Sequence, residues 1–466
     1  MKKPILFVVG SEPAYRVHKL FAEYCAKQGR PLAFLYDSAP DAFFETLTKD
    51  AQALGATVAS LDAAIQPGPH EPPWGLFRRP SDRVRLFEQV RKQSTSPRIR
   101  AFTDLIFGRL DAARTILKQV RPSAIVVAED GIAGPMVLMA AARELGIPII
   151  DLPYGHGTQR DLEVSLERKQ ADGELQYPEG PEGEAITKHA PEWIKRGPFE
   201  GVLLFPSDYI VVLESAGVHF RHCWSVHGGL ADRLMVESPR MMALYREEGI
   251  PDTKLVLVGS VYGGFLLDSI AGDDAARAAF RQPKKIAASP TRVLVSWPPS
   301  YHSERAEHSE FASYADMTRA FFDWIRTLSG VQLTVSLHPA VSADDRAMIA
   351  DLGVVTTDDY ILSLIPRHDI YVTYFSSTIR WAIASGKPVV NYDAYKIALP
   401  VYDAAPGVVT TAAMAEAKKV IGELVSSEDA FGRLAERQVA VAAEWGVLDA
   451  RAMPKILAEL DAVVRG

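Results

Sequence analysis

Short aliphatic and β-branched runs alternate along the chain with longer stretches whose apolar residues recur every three or four positions. Ile5 to Val9 reads as a buried strand. A helix from about Ala14 to Gln28, a strand over Leu32 to Tyr36, a helix from about Ala42 to Leu54 and a strand over Thr57 to Leu61 follow. The segment Gln66 to Gly75 holds too many prolines for a regular element and reads as a loop, ahead of helices near Ser81 to Lys92 and Arg100 to Gln119. The rhythm resumes with a strand at Ala124 to Val127, a helix from Gly134 to Leu145 and a strand at Pro148 to Leu152. A polar insertion from about Thr158 to Gly197 precedes strands at Tyr209 to Leu213 and Leu255 to Val258.

The same rhythm recurs further on, with strands at Val293 to Ser296, Leu333 to Leu337, Ile370 to Tyr374 and Val389 to Tyr392, then three helical stretches after Thr410. Strand and helix in alternation imply parallel sheets with crossover helices, an α/β class. The expectation is two Rossmann-like domains whose sheets face a central cleft: 1–271, a connection of Ala/Arg-rich then Pro/Lys-rich composition over 272–290, and 291–466. Ligands of such sheets bind at the carboxyl ends of the strands.

Composition narrows the function classes. A chain of 466 residues is long for one core, and 48% hydrophobic with 23% charged is globular. A net charge of −7 argues against a nucleic-acid partner. Cys25 and Cys223 are the two cysteines, and no Cys/His spacing suggests a metal cage, so a reducing, cytoplasmic setting is expected. The apolar run at the N-terminus is short for a signal peptide, and no stretch reaches the roughly 18 apolar residues that span a bilayer. Around Trp74, Leu76 and Phe77, flanked by Arg78 and Arg79, a peripheral contact with the inner face of a membrane or a lipid-linked acceptor competes with a loop packed on its own lobe.

Five strand ends carry residues with chemistry. Glu129-Asp130-Gly131 delivers two carboxylates into a turn, where one would take a proton from an acceptor hydroxyl or, alternatively, cap the next helix. His338-Pro339 ends a strand with an imidazole suited to a phosphate or a leaving group, or to a structural hydrogen bond. Ser376-Ser377-Thr378 places three hydroxyls where a strand turns into a helix, an anion site by its free N–H groups or simply an N-cap. Ser296 to Ser300 follows the second lobe's first strand, and Ser300 is a further phosphate candidate unless the turn alone explains it. His156, between Gly155 and Gly157, is placed to reach an acceptor.

Taken together, Glu129-Asp130-Gly131, His338-Pro339 and Ser376-Ser377 resemble, in order and spacing, the motifs of bacterial sialyltransferases and related transferases of nonulosonic acids or Kdo, within the GT-B superfamily. The resemblance implies an inverting, metal-independent glycosyltransferase with a CMP-sugar donor and no other cofactor. It implies Asp130 as base, His338 at the CMP phosphate assisting its departure, and Ser376 and Ser377 binding that phosphate; Glu129 beside the base, Gly131 and His156 toward the acceptor, and Pro339, Thr378 and Ser300 near the donor complete the candidate set. The acceptor would be a glycan, a lipid-linked glycan or a protein, as in surface polysaccharide biosynthesis. The lack of any Asp-X-Asp triplet agrees with metal-free binding. Competing readings are a UDP-N-acetylglucosamine 2-epimerase, a CDP-polyol phosphotransferase and a non-catalytic glycan-binding protein.

Overall fold

The structure is a computed structural model and describes residues 3–70, 81–398 and 400–465. The sequence-expected segment from Trp74 to Arg79 lies outside them. Two compact units divide the chain.

The first unit holds seven parallel strands, β1 (Ile5–Val9), β2 (Leu32–Tyr36), β3 (Thr57–Ser60), β4 (Ala124–Val127), β5 (Ile149–Asp151), β6 (Arg233–Val236) and β7 (Leu255–Leu257). Their order is β3-β2-β1-β4-β5-β6-β7. Residues Ile5 to Val9 are all buried because helices cover both faces of a parallel sheet, which is why they read as one apolar run. In register, Ile5 lies beside Leu32 on one side and Ala124 on the other.

The second unit carries six parallel strands, β8 (Thr291–Trp297), β9 (Val331–Leu337), β10 (Thr356–Thr357), β11 (Ile370–Thr373), β12 (Val389–Tyr392) and β13 (Val408–Thr411), in the order β10-β9-β8-β11-β12-β13. Its core centres on Val293, Val295 and Trp297 against Phe321 and Phe322 of the helix Tyr314–Ile325. In both sheets the chain starts near the middle, winds outward, then returns to the other side. A switch point results between β1 and β4, and another between β8 and β11.

Two expectations need correction. Tyr209 to Leu213 is not a strand but the middle of the helix Ser207–Ser215, whose Ile210 to Leu213 are wholly buried; a short, fully apolar run fits either element, and here it packs as a helix in the core. The strand assigned to it is instead β6. The polar insertion at 158–197 is largely helical, Gln159–Ala171 and Gly180–His189, the first fixed by a capping box of Thr158 and Asp161.

The domain limits also move. The first unit takes Met1–Val236, Met242–Leu257 and Met453–Gly466, and the second Glu237–Met241 and Val258–Ala452. The 272–290 segment is no free connection: Ala276, Ala279 and Ile286 bury with Ile270, and the Ile286 amide donates to Asp369 at 2.6 Å. The last helix, Ala452–Arg465, belongs to the first unit, where Arg30 meets Asp461 at 2.7 Å. Among the described residues no helix is long and apolar enough to cross a membrane.

Leu460 on that last helix is fully buried, so Leu460→Ala is expected to cost about 2–5 kcal/mol through the cavity it leaves. Urea denaturation followed by circular dichroism checks this.

Candidate active site

The first sheet opens a cavity at its switch point. About 230 Å³ in volume, it is lined by Gly10 and Ser11 after β1, Asp37 after β2, Glu129 after β4 and Tyr154 after β5. A neighbouring cavity of similar size shares Asp37, Gly134 and Pro135 and continues over Leu105, Ile106 and Tyr209. Burial pushes the Glu129 carboxyl up to about 7, with the nearby His227 charge opposing and Asp151 adding to the rise. Burial likewise lifts Asp37 to about 6, against the opposing charge of Arg109, whose guanidinium donates to it at 2.6 Å. A carboxyl poised near neutrality in a cavity at a strand end is equipped to accept a proton from a hydroxyl.

Asp130 does not share that position. In the turn after β4, Asp130 points inward and is wholly buried. Its oxygens accept from Lys254 Nζ at 2.5 Å, the Ala231 amide at 2.7 Å and the Gly229 amide at 3.2 Å. Burial alone would raise its carboxyl, but the Lys254 charge and these hydrogen bonds hold it below the usual range. A carboxylate so engaged and sealed from solvent is a structural anchor, whereas Glu129 lines the cavity.

Lys254 also donates to the His227 carbonyl at 2.7 Å, and His227 Nδ1 lies 2.7 Å from Asp151. The Asp151 carboxylate holds this imidazole above its ordinary pKa despite burial. Asp130, Asp151 and His227 lie close enough to be metal-type ligands, but the Lys254 ammonium already supplies a cation to Asp130.

The two residues expected on the acceptor side, Gly131 and His156, are not among those that line this cavity. Gly131 packs rather than lines the cavity: a Cβ there would meet the Val226 carbonyl at 2.3 Å, and its amide donates to that oxygen at 2.9 Å. His156 is half-buried with its ring nitrogens shielded from solvent, and Tyr154, two residues earlier, faces the cavity instead.

On the second sheet the expected donor residues gather along one edge. Ser300 follows β8, His338 and Pro339 follow β9, and Ser376 to Thr378 follow β11, three adjacent strands that span about 10 Å. Ser300, His338, Pro339 and Ser377 are exposed. His338 Nδ1 accepts the Ala340 amide at 3.1 Å, which places the proton of the neutral ring on Nε2. Thr378 Oγ1 joins a chain of hydroxyls, 2.7 Å from Ser376 and 2.5 Å from Tyr371. Beneath the turn, Arg380 donates to the Ser377 carbonyl at 2.6 Å and to Glu237 at 3.2 Å, which fixes the loop's shape.

Sequence reasoning missed Asp37, Tyr154, Lys254 and His227. Asp37 sits one residue beyond an expected strand and Glu129 two beyond another, so the same rule would find it. Lys254 is 124 residues from its partner Asp130, and no local signal joins them.

Lys254→Met would strand the Asp130 carboxylate and is expected to cost about 3–5 kcal/mol in chemical denaturation, with much of the loss recovered in the Lys254→Met, Asp130→Asn double variant. Glu129 has a folded pKa above its unfolded one, so its contribution to stability is present at low pH and lost as pH rises from about 4.5 to about 7. That loss amounts to about 3 kcal/mol at most. Glu129→Gln cannot ionise, and its melting temperature is expected to exceed the parent's at pH 8 by more than at pH 5.

No protein-family model and no curated protein matches the sequence. Solved structures match its fold over the full length. A UDP-GlcNAc 2-epimerase from Neisseria meningitidis, bound to UDP-GlcNAc, aligns over 99% of this chain and 100% of its own at 13% identity and a TM-score of 0.51. CalG4, the calicheamicin glycosyltransferase, aligns over 99% and 98% at 12% identity and 0.52. LpCGTa in complex with UDP aligns over 100% of both chains at 14% identity and 0.51. With its two sheets of parallel strands, the chain has the GT-B fold that glycosyltransferases and UDP-GlcNAc 2-epimerases share.

Proposed function

We propose that the protein is a glycosyltransferase that takes its sugar from a pyrimidine nucleotide. The observation that carries this reading is Glu129, a carboxyl raised to about 7 at the mouth of a cavity on the first sheet's switch point. There it accepts the proton of an acceptor hydroxyl as that oxygen attacks the anomeric carbon. The bond from that carbon to the phosphate breaks in the same displacement, which inverts the anomeric configuration. On the second unit, the His338 Nε2–H and the Ser377 and Thr378 turn receive the charge of the departing phosphate.

The order of Glu129, His338-Pro339 and Ser376-Ser377 along the sequence supports a finer reading, a CMP-activated nonulosonic acid as donor and metal-free binding. A UDP-sugar reading, as epimerase or transferase, is favoured by solved structures of the same fold that hold UDP-GlcNAc or UDP.

Calorimetric titration with CMP, UDP and CDP separates these. The CMP reading expects CMP to bind most tightly, equally well with a chelator present, and to be weakened by His338→Ala and Ser377→Ala. Tighter UDP binding overturns the CMP reading in favour of a UDP-sugar, tighter CDP binding in favour of a polyol-phosphate donor, and no binding defeats the transferase reading as a whole. Turnover with the preferred donor is expected to rise with pH to a plateau, with a midpoint near 7, because Glu129 acts ionised. Glu129→Gln should lose this limb together with most of kcat, by a factor of about 10²–10⁴.

A further inference from the structure

The first unit holds another cavity, about 440 Å³, that shares no lining residue with the one at Glu129. Lys195, Arg196, Arg221, His222 and Trp224 line it together with Glu192 and Glu248. Both carboxylates are already engaged. Glu192 meets Arg83 at 2.6 Å, and Glu248 accepts the Gln159 amide at 2.8 Å and the Ser225 hydroxyl at 2.7 Å. Lys195, 1% exposed, has its ammonium 3.1 Å from Glu163 and 5.7 Å from the centre of the Trp224 ring.

What remains is uncompensated. Arg196 and Arg221 are exposed and pair with no carboxylate among the described residues. The Trp224 indole Nε1 is shut off from solvent and has no acceptor, a cost that a folded chain rarely leaves standing. His222 carries the mark of the same field, since burial and the charges of Lys254 and Arg221 all lower its pKa.

We propose that this cavity binds an anionic saccharide. Its carboxylate or phosphate pairs with Arg196 and Arg221, and its ring lies against the Trp224 side chain that lines the cavity. Guanidinium groups suit such acids because their N–H pairs match two oxygens at once. An aromatic wall suits the flank of a sugar ring. The site is independent of the donor and of Glu129, so its failure and the failure of the transferase reading are separable.

The full-length protein is titrated calorimetrically with glucose 6-phosphate, glucuronate, glucose and inorganic phosphate, with and without saturating CMP or UDP. The expected result is binding of at least one of the two acidic sugars, weaker binding of glucose and of inorganic phosphate, and no competition from either nucleotide. Which acid binds more tightly tells a phosphate ligand from a carboxylate one, and either result supports the site. Arg196→Ala and Arg221→Ala, both at exposed positions, should each weaken that binding by about tenfold while leaving the melting temperature unchanged. Trp224→Ala, which removes the ring from the wall, should weaken it as well. The proposal is overturned if neither acid binds at millimolar concentration, if glucose or bare phosphate binds as tightly, if a nucleotide displaces the sugar, or if the double arginine variant binds as the parent does.

Discussion

The ion pair between Asp130 and Lys254 is the constraint on which the first unit's chemistry depends. Wholly buried, the carboxylate is tolerable only because an ammonium and two backbone amides reach it. Those amides come from Gly229 and Ala231, so satisfying one side chain fixes a stretch of irregular chain against the end of β4. Gly229 is needed for that approach, since a Cβ there would lie 1.5 Å from the Asp130 carbonyl oxygen. With Asp130 locked inward, its neighbour Glu129 is presented outward, half out of water, and acquires a pKa useful at neutral pH.

The same irregular stretch connects two properties of the unit. Its inner residues, His227, Gly229 and Ala231, complete the buried charge network, while Arg221, His222 and Trp224 line the larger cavity. Ser225 lies between them and is held by Glu248. One loop therefore serves as core on one side and as binding surface on the other, and the tight packing of the first makes the second rigid.

Much of the fold was legible because parallel strands are buried on both faces and stand out as apolar runs, as Ile5 to Val9 and Val389 to Tyr392 do. The run at Tyr209 to Leu213 misled for the same reason, since a wholly buried helix has no polar face to reveal its period. Strand ends pointed to Glu129, His338 and Ser376 to Thr378, which the two sheets place at or beside their switch points. The distinction between Glu129 and Asp130 was not legible. It depends on Lys254 and on the amides of Gly229 and Ala231, about a hundred residues or more downstream, and long-range pairing of that kind leaves no periodic trace. The two-unit division was only partly legible, because composition marks a flexible-looking segment at 272–290 but does not say which core it joins.

The helix Ala452–Arg465 sets an order of events during synthesis. It leaves the ribosome only after the second unit's sequence, yet its Ile456 and Leu460 are buried and its Asp461 reaches back to Arg30 in the first unit. That unit thus stays unfinished until the second unit has been made, although most of its sequence emerges long before. A nascent chain stalled or cleaved ahead of Ala452 would leave an apolar seam of the first unit uncovered, and proteases and chaperones can read that seam as a sign of an incomplete molecule.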